Sequence, residues 1–498
     1  MYSAKRFDLF ALAALAFAIA GCASHGGGIV PDGGQGDVRR GRANGSPIQH
    51  VIVIMQENRT FDNFFHGFPG ADSATYGYGH GVKYTLEPIN LGWGYDPNHY
   101  HWQFLEDYDQ GKNDGFDLLI YKISKKGDCK YNDYWPNEPE CWVFRTGDSY
   151  KRMAFTYVPE EQIQPYWDMA AQYTLGDRTF SSNNGPTFVS HQYMIAGQSG
   201  HASEVPSAMP WGCDAPKETE YYMLFGQADP PVFSPATGHE KNGSYPCFPM
   251  SSHPSSSYPT IADLLDAAGI SWKYYVVQHT IHGIPQDSYW LNAFDAVRSI
   301  RFGPDWKKDI SMPDTNVLKD VKGGTLAQVS WVMPHKYASD HPGRTQGKCG
   351  PNWVASIVNA VGQSPYWRST AIFIMWDDWG GWYDHVVPPQ YADPQTGAYE
   401  GLGYRVPLIV VSPYAKAGYV SHRQHEIVST LHFIEKNFGL PFLGAASQQM
   451  FADQRADAFS DVFNYSQKPI VFKRIKPIPG LEGLCSHWVK QIEPEIDY

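Results

Sequence analysis

Five short runs of apolar residues constrain the fold of this chain more than any other feature: Val51 to Met55, Ile270 to Val277, Val329 to Met333, Ala371 to Trp376 and Val406 to Val411. Their hydrophobicity is continuous. A strand with one face in water has to alternate, so these runs suit strands covered on both faces, as in a parallel sheet between helices. Helical patterns lie between them. Thr260 to Ala268 carries Ile261, Leu264, Leu265 and Ala268 on one face, with Gly269 placed as a C-terminal stop. Trp353 to Val361 repeats Trp353, Val354, Ile357, Val358 and Val361 at helical spacing, and a Gly-Gln-Ser-Pro turn leads into the next run. Helix then strand, repeated, predicts an α/β domain.

At 498 residues with 42% hydrophobic content the chain is long enough to bury a large core. Its formal charge of -12, with no basic stripe, argues against nucleic acid as a partner, because phosphate backbones require clustered Lys and Arg. The N-terminus has Lys5 and Arg6, an apolar run from Leu9 to Ala20 and then Ile19-Ala20-Gly21-Cys22, the layout of a bacterial export signal. The run is too short for a comfortable transmembrane helix. Two cleavage readings stay open. The residues up to Cys22 resemble the lipobox of bacterial lipoproteins, in which case Cys22 is lipidated and anchors the chain to a membrane. An ordinary secretory signal cleaved a few residues later, at Ala23, is the other. Both predict an exported protein, either a lipoprotein of the outer membrane or cell surface or a periplasmic or secreted one.

Six further cysteines remain in a compartment that permits disulfides. Sequence does not fix their pairing; nearest partners suggest Cys129 with Cys141, Cys213 with Cys247 and Cys349 with Cys485. No C-x-x-C pair occurs, which argues against a thiolate metal site. From Ala23 to about Ser46 the chain is mostly Gly, Ser, Asp, Arg and Ala, the composition of a flexible tether. Residues 202–258 are rich in Pro, Ser, Gly and Tyr and hold Cys213 and Cys247, which reads as a loop-rich, disulfide-stapled insertion that could roof an active site.

Two of the expected strands run into acidic groups. Val51 to Met55 leads to Gln56-Glu57-Asn58-Arg59, and Ala371 to Trp376 leads to Asp377-Asp378-Trp379-Gly380-Gly381-Trp382. Ligands of open α/β sheets collect where strands end. Adjacent carboxylates repel unless a cation or proton lies between them, and hard divalent ions favour several oxygens. Taken alone, each cluster is more often a solvated turn or a helix cap than a metal site, and Asn183-Asn184-Gly185-Pro186-Thr187 reads equally as a plain turn.

Taken together, the motifs resemble a known family. His50-Val51-Ile52-Val53-Ile54-Met55-Gln56-Glu57-Asn58-Arg59-Thr60-Phe61-Asp62 is similar to the opening motif of the bacterial phosphoesterases that include phosphatidylcholine-type phospholipases C and respiratory-burst-inhibiting acid phosphatases. Asp96-Pro97-Asn98-His99 with Gly111 to Phe116, Gly185-Pro186-Thr187 with Gly197-Gln198-Ser199-Gly200, and Ser339-Asp340-His341-Pro342 resemble later blocks in order. So do Trp376 to Val386 and Arg405-Val406-Pro407 to Tyr419-Val420-Ser421-His422. The resemblance runs from about His50 to Leu440.

The resemblance implies an alkaline-phosphatase-like sandwich, with a central mostly parallel sheet flanked by helices. It also implies one divalent metal ion (Ca²⁺, Mg²⁺, Mn²⁺ or Zn²⁺) held by Glu57, Asn58, Asp377 and Asp378, and Thr187 as the nucleophile that forms a phosphothreonine. His99 and His341 match positions near the phosphate, as clamps or as the acid for the leaving alkoxide. His385 is expected to brace the Asp377-Asp378 loop, and His335 has only proximity to recommend it. The expected organisation is 1–21 export signal, 22–46 tether, 47–470 catalytic domain and 471–498 a packed C-terminal extension. Many relatives carry Pro-Asn-His after the nucleophile, where this chain has Val189-Ser190-His191, so a contact made by that Asn is lost or passes to Ser190.

The implied substrates are phosphate esters: either phosphodiesters such as phosphatidylcholine, or phosphomonoesters at acidic pH. The long phospholipases of the family carry extra C-terminal domains, so the extent of this sequence tilts toward the phosphatase-like branch or a minimal phospholipase C. No amphipathic basic helix suited to anionic membranes is present, while 15% aromatic residues leave Trp and Tyr for a choline cage. A noncatalytic surface lipoprotein that binds phosphocholine or glycan on the same scaffold is the alternative.

Overall fold

The computed structural model describes residues 45–481 apart from 93–94, 119–120, 124–140, 144–149, 217–218, 220, 226–231, 237–245, 250–257, 279, 282–283, 286–290, 336, 343–348, 392–400 and 446–450. Each of the five apolar runs contains a strand, and three shorter strands complete their sheet. In chain order these are β1 (His50–Gln56), β2 (Thr174–Gly176), β3 (Trp272–Tyr275), β4 (Ile310–Ser311), β5 (Val329–Val332), β6 (Thr370–Trp376), β7 (Leu408–Val411) and β8 (Tyr419–Ser421). They lie in the order β4-β3-β5-β1-β6-β7-β2-β8. β1 and β6 form the central parallel pair, in register from His50↔Thr370 to Gln56↔Trp376. β7 alone reverses the sense, antiparallel to both β6 and β2. A continuous apolar run reports burial on both faces and carries no direction, so this reversal has no signature in the sequence.

The helices that matter here are α1 (Gln164–Gln172), α2 (Thr187–Ala196), α3 (Ile261–Ala267), α4 (Gly350–Gly362) and α5 (Ser429–Phe438). Successive residues of a strand point to opposite faces, and β6 shows both layers. Phe373 meets Phe433 of α5 at 5.0 Å, while Trp376 meets Tyr166 of α1 at 5.0 Å. α1 packs on α4, and α2 on α3 and α5. The result is the expected mostly parallel sheet sandwiched between helices. α3 starts where Asp263 Oδ2 accepts both the N–H and the hydroxyl of Thr260, at 2.7 and 2.9 Å. It is followed by Gly269 at φ +66°.

Cys213 and Cys247 form a disulfide, and Phe248 continues from it into backbone hydrogen bonds with Ala296 and Arg298. Trp211 of this region stands edge-on to Phe188 of α2, 6.0 Å between centroids, and the Tyr258 hydroxyl donates to Gln192 of the same helix. Cys349 is also disulfide-bonded. The pairings expected of it with Cys485 and of Cys129 with Cys141 fall on positions outside the described residues, as do Cys22, the export signal and nearly all of the tether. After residue 470 the chain lies along α4: the Asn359 side chain bonds both backbone groups of Ile475, and Asn352 does the same for Ile478. Among the described residues no helix is long and apolar enough to cross a membrane.

Behind the sheet edge lies a buried ionic network. The Arg405 guanidinium grips Asp384 at 2.7 and 3.1 Å and reaches Asp62 at 3.2 Å. His385 bridges Asp62 (2.7 Å) and Asp72 (3.0 Å), tying the segment after Asp377-Asp378 to the one after β1. Burial opposes charge on this imidazole, yet Asp62 outweighs it and pushes the group up to about 9. A raised histidine stabilises fully below its unfolded value near 6.5 and loses that contribution as pH climbs through the folded value. We therefore expect a thermal midpoint that falls between pH 6.5 and about 9. The loss is on the order of 1 kcal/mol after solvent screening, and a His385→Gln variant should lack this slope in a melting series across that range.

Candidate active site

Because β1 and β6 are parallel neighbours in register, the residues that follow Gln56 and Trp376 emerge side by side at the carboxyl ends of the central strands. Asp377 N–H donates to Gln56 O at 3.0 Å. Asp377 Oδ1 accepts the Asn58 and Asp378 N–H groups at 3.1 and 2.8 Å. Asp378 Oδ1 in turn accepts Gly380 N–H at 2.8 Å. The two loops touch so closely that a Cβ on Gly380, itself at φ +60°, would lie 2.4 Å from Asn58 O. Asn58 holds the left-handed region at φ +61°, a strained conformation for a residue with a side chain. Glu57, Asn58, Asp377 and Asp378 are all fully buried.

One end of each braced side chain is spent on the protein and the other is not. Asn58 Nδ2 lies 2.8 Å from His99 Nε2, which leaves Asn58 Oδ1 buried without a hydrogen-bond partner. Asp377 Oδ2 is likewise buried and makes no hydrogen bond, with His191 Nε2 3.7 Å away, and Asp378 Oδ2 faces Thr187 Oγ1 at 3.4 Å. Burial, then Asp377, and further off Glu57 and Asp96, drive the Asp378 carboxyl well above its ordinary value. Asp377 is held below its own despite burial, by His191 and the Asn58 N–H. Buried oxygens of Asn58 and Asp377 without hydrogen bonds, beside an Asp378 carboxyl already raised by burial and neighbouring negative charge, fit a divalent cation, and Glu57, Asn58, Asp377 and Asp378 would hold it.

Thr187 opens α2, a helix with every residue buried. The turn before it is built by Gly185, whose N–H donates to Asn183 Oδ1 at 2.8 Å and whose Cβ, if present, would meet Ser203 O at 2.7 Å. Helix N-termini carry unsatisfied N–H groups and a positive dipole end, so Thr187 sits where an anion is favoured. His99 and His341 come together at 5.9 Å between rings. Each Nδ1 faces a carbonyl, Pro97 O at 2.7 Å and Pro342 O at 2.5 Å. A carbonyl only accepts, so Nδ1 carries the proton, and His99 Nε2 accepts from Asn58 and aims its Oδ1 away. His335 instead lies 3.5 Å from Asp314, beside Trp353.

Sequence reasoning passed over several residues at this site. Asp96 Oδ1 stands 4.0 Å from Nδ1 of both His99 and His341; its place in the Asp96-Pro97-Asn98-His99 block was the available signal. Asp340, at φ +64°, accepts a 2.7 Å hydrogen bond from the Tyr166 hydroxyl, and burial lifts its carboxyl to about 7 against that bond. Arg59 donates to Asp340 O at 2.9 Å, and Glu57 N–H to Ser339 O at 2.8 Å, joining the His341 loop to the end of β1. Nothing in the sequence around Tyr166 marks it. Ser190 accepts from Asn183 Nδ2 at 3.0 Å and lies 3.3 Å from Ser181 Oγ, which donates to Asp377 O.

The model of the Phosphoesterase family matches residues 48–441. The chain is 26% identical over 453 residues to the non-hemolytic phospholipase C of Burkholderia pseudomallei, covering 78% of this chain and 55% of that protein. It is 24% identical over 443 residues to the non-hemolytic phospholipase C of Pseudomonas aeruginosa, covering 80% and 55%. It is 23% identical over 458 residues to phospholipase C A of Mycobacterium tuberculosis, covering 85% and 78%. The chain thus spans about half the length of the first two relatives. Among solved structures it is similar to a protein in the alkaline phosphatase superfamily from Vibrio parahaemolyticus, with a TM-score of 0.31 at 9% identity, over 57% of this chain and 62% of that one. With a family match that takes in β1, β6 and every residue of the acidic pocket, the chain belongs to the phosphoesterase family.

Proposed function

We propose that this protein is an exported, metal-dependent phosphoesterase. In this reading it cleaves phospholipase C-type phosphodiesters, phosphatidylcholine-like, through a phosphothreonine on Thr187. The observation that carries it is the Thr187 hydroxyl, 3.4 Å from Asp378 at the rim of a buried set of oxygens that fits a divalent cation. A bound cation would lower the hydroxyl pKa and offset charge on the phosphoryl oxygens. Asp378 Oδ2 orients the Thr187 hydroxyl, and the start of α2 offers its N–H groups to the phosphate. The threonine oxygen displaces the alkoxide, which takes up a proton, and water then cleaves the phosphothreonine. Once protonated to imidazolium, His99 and His341 can clamp nonbridging oxygens or protonate the leaving alkoxide, His99 only after its Nε2 releases the Asn58 amide. Anchoring through Cys22 accompanies this reading if the lipobox is the one used.

The phospholipase C relatives favour a diester over a phosphomonoester. The purified full chain is expected to turn over p-nitrophenylphosphorylcholine at least about 10-fold faster, in kcat/KM, than p-nitrophenyl phosphate. EDTA should abolish both activities and added divalent ion restore them. The opposite ratio would make the protein an acid phosphatase. EDTA-insensitive phosphocholine binding without cleavage of either ester would leave the binding-protein reading.

A further inference from the structure

His191 follows Thr187 by one turn of α2, so both side chains leave the helix on one face. That face meets the Asp377-Asp378 pair. Thr187 addresses Asp378, and His191 Nε2 stands 3.7 Å from Asp377 Oδ2. The imidazole side chain is 3% exposed, and neither of its ring nitrogens makes a hydrogen bond. Asp377 Oδ2, opposite, makes none either. Buried polar atoms left this way are costly and rare.

Distance separates the two ways of resolving that cost. A direct hydrogen bond would bring nitrogen and oxygen to about 2.7–3.2 Å. Two ligands of one ion, each bonded at about 2.0–2.2 Å, stand roughly 3.0–3.6 Å apart. The observed gap is too long for the first and within a small side-chain adjustment of the second. Asp377 Oδ1 is already occupied by two N–H groups, so Oδ2 is the atom left for a cation, and His191 Nε2 stands 3.7 Å from it.

We propose that His191 Nε2 is a ligand of the cation held by Glu57, Asn58, Asp377 and Asp378. The centre is then a mixed nitrogen and oxygen site rather than an oxygen-only one. Imidazole nitrogen suits Zn²⁺ and other first-row transition ions, whereas Ca²⁺ and Mg²⁺ favour oxygen. The inference rests on the cation of the proposed function and narrows its class. It also couples the nucleophile to the metal mechanically, since Thr187 and His191 ride on one rigid turn.

The test uses the full chain stripped of metal and reloaded with Mn²⁺ as a paramagnetic probe. Pulsed electron paramagnetic resonance is expected to show ¹⁴N modulation from a directly bound imidazole. The modulation should vanish in His191→Ala and persist in His99→Ala, whose ring lies on the Asn58 side of the site. Zn²⁺ affinity, measured by competition, should fall at least about 10-fold in His191→Ala, with Mg²⁺ affinity changed less than about twofold. His191→Gln serves if the alanine variant does not fold. Bound Mn²⁺ without ¹⁴N modulation in the wild-type protein overturns the His191 assignment and leaves the cation reading standing. Failure of the wild-type protein to bind any divalent ion overturns both.

Discussion

Thr187→Ala is expected to lower kcat by about 10⁴-fold, because a nucleophilic route that loses its nucleophile keeps only binding and electrostatic assistance to water. The substitution is clean in structural terms. Alanine is well tolerated in a helix, and the lost hydroxyl has as its hydrogen-bond acceptor Asp378 Oδ2, an atom of the proposed cation site. Thr187→Ser should stay within about 10-fold of wild type, since it keeps the oxygen and removes a methyl group. Acid quench of the wild-type enzyme with phosphorus-labelled substrate should yield a labelled peptide containing Thr187, absent from the alanine variant. A fully active Thr187→Ala enzyme would mean that water attacks directly and no phosphothreonine forms.

Asp377→Asn is expected to separate activity from stability. The amide keeps an oxygen at Oδ1, where the Asn58 and Asp378 N–H groups are bound, so both loops retain their anchor. At Oδ2 it places an NH₂, which repels a cation. We expect at least about a 10³-fold loss of kcat/KM and a large loss of divalent-ion affinity. In EDTA two effects oppose. Asp377 is the foremost charge raising its buried neighbour Asp378, so neutralising it relieves a like-charge pair. The same change forfeits the attraction of His191 that helps hold Asp377 below its ordinary value despite burial, a stabilisation made by the charged carboxylate. The metal-free variant should therefore melt within a few degrees of the metal-free wild type, a difference on the order of 1 kcal/mol or less. A much larger drop would mean that the charge of Asp377, and not its oxygen at Oδ1, anchors the two loops.

The strands at the heart of the sheet were legible because burial on both faces writes itself as unbroken hydrophobicity, as in Val51 to Met55 and Ala371 to Trp376. The edge was not. β4 spans Ile310–Ser311 and β8 Tyr419–Ser421, too few residues for any period to register. The acidic clusters at the ends of β1 and β6 could be picked out in sequence, but their meeting depends on a strand pairing that no local pattern encodes. His191 escaped because its proposed role depends on what faces it. In a helix buried on all sides, an imidazole among Val189, Ser190 and Gln192 reads like any other packed residue. Tyr166 and Asp340 escaped for the same reason, their hydrogen bond spanning 174 positions.

The contact between Asn58 N–H and Asp377 Oδ1 joins residues 319 positions apart. During synthesis Glu57, Asn58 and Thr187 leave the ribosome long before β6 exists, and bringing distant strands together is the slow part of building such a sheet. Until β6 slots in beside β1, Thr187, the proposed nucleophile, has no aspartate pair beside it. A product truncated near residue 370 keeps that nucleophile and lacks both aspartates. On the proposed function, catalytic competence is therefore a late event in the life of each molecule, and cation binding would serve as a chemical receipt that the two halves of the sheet have closed.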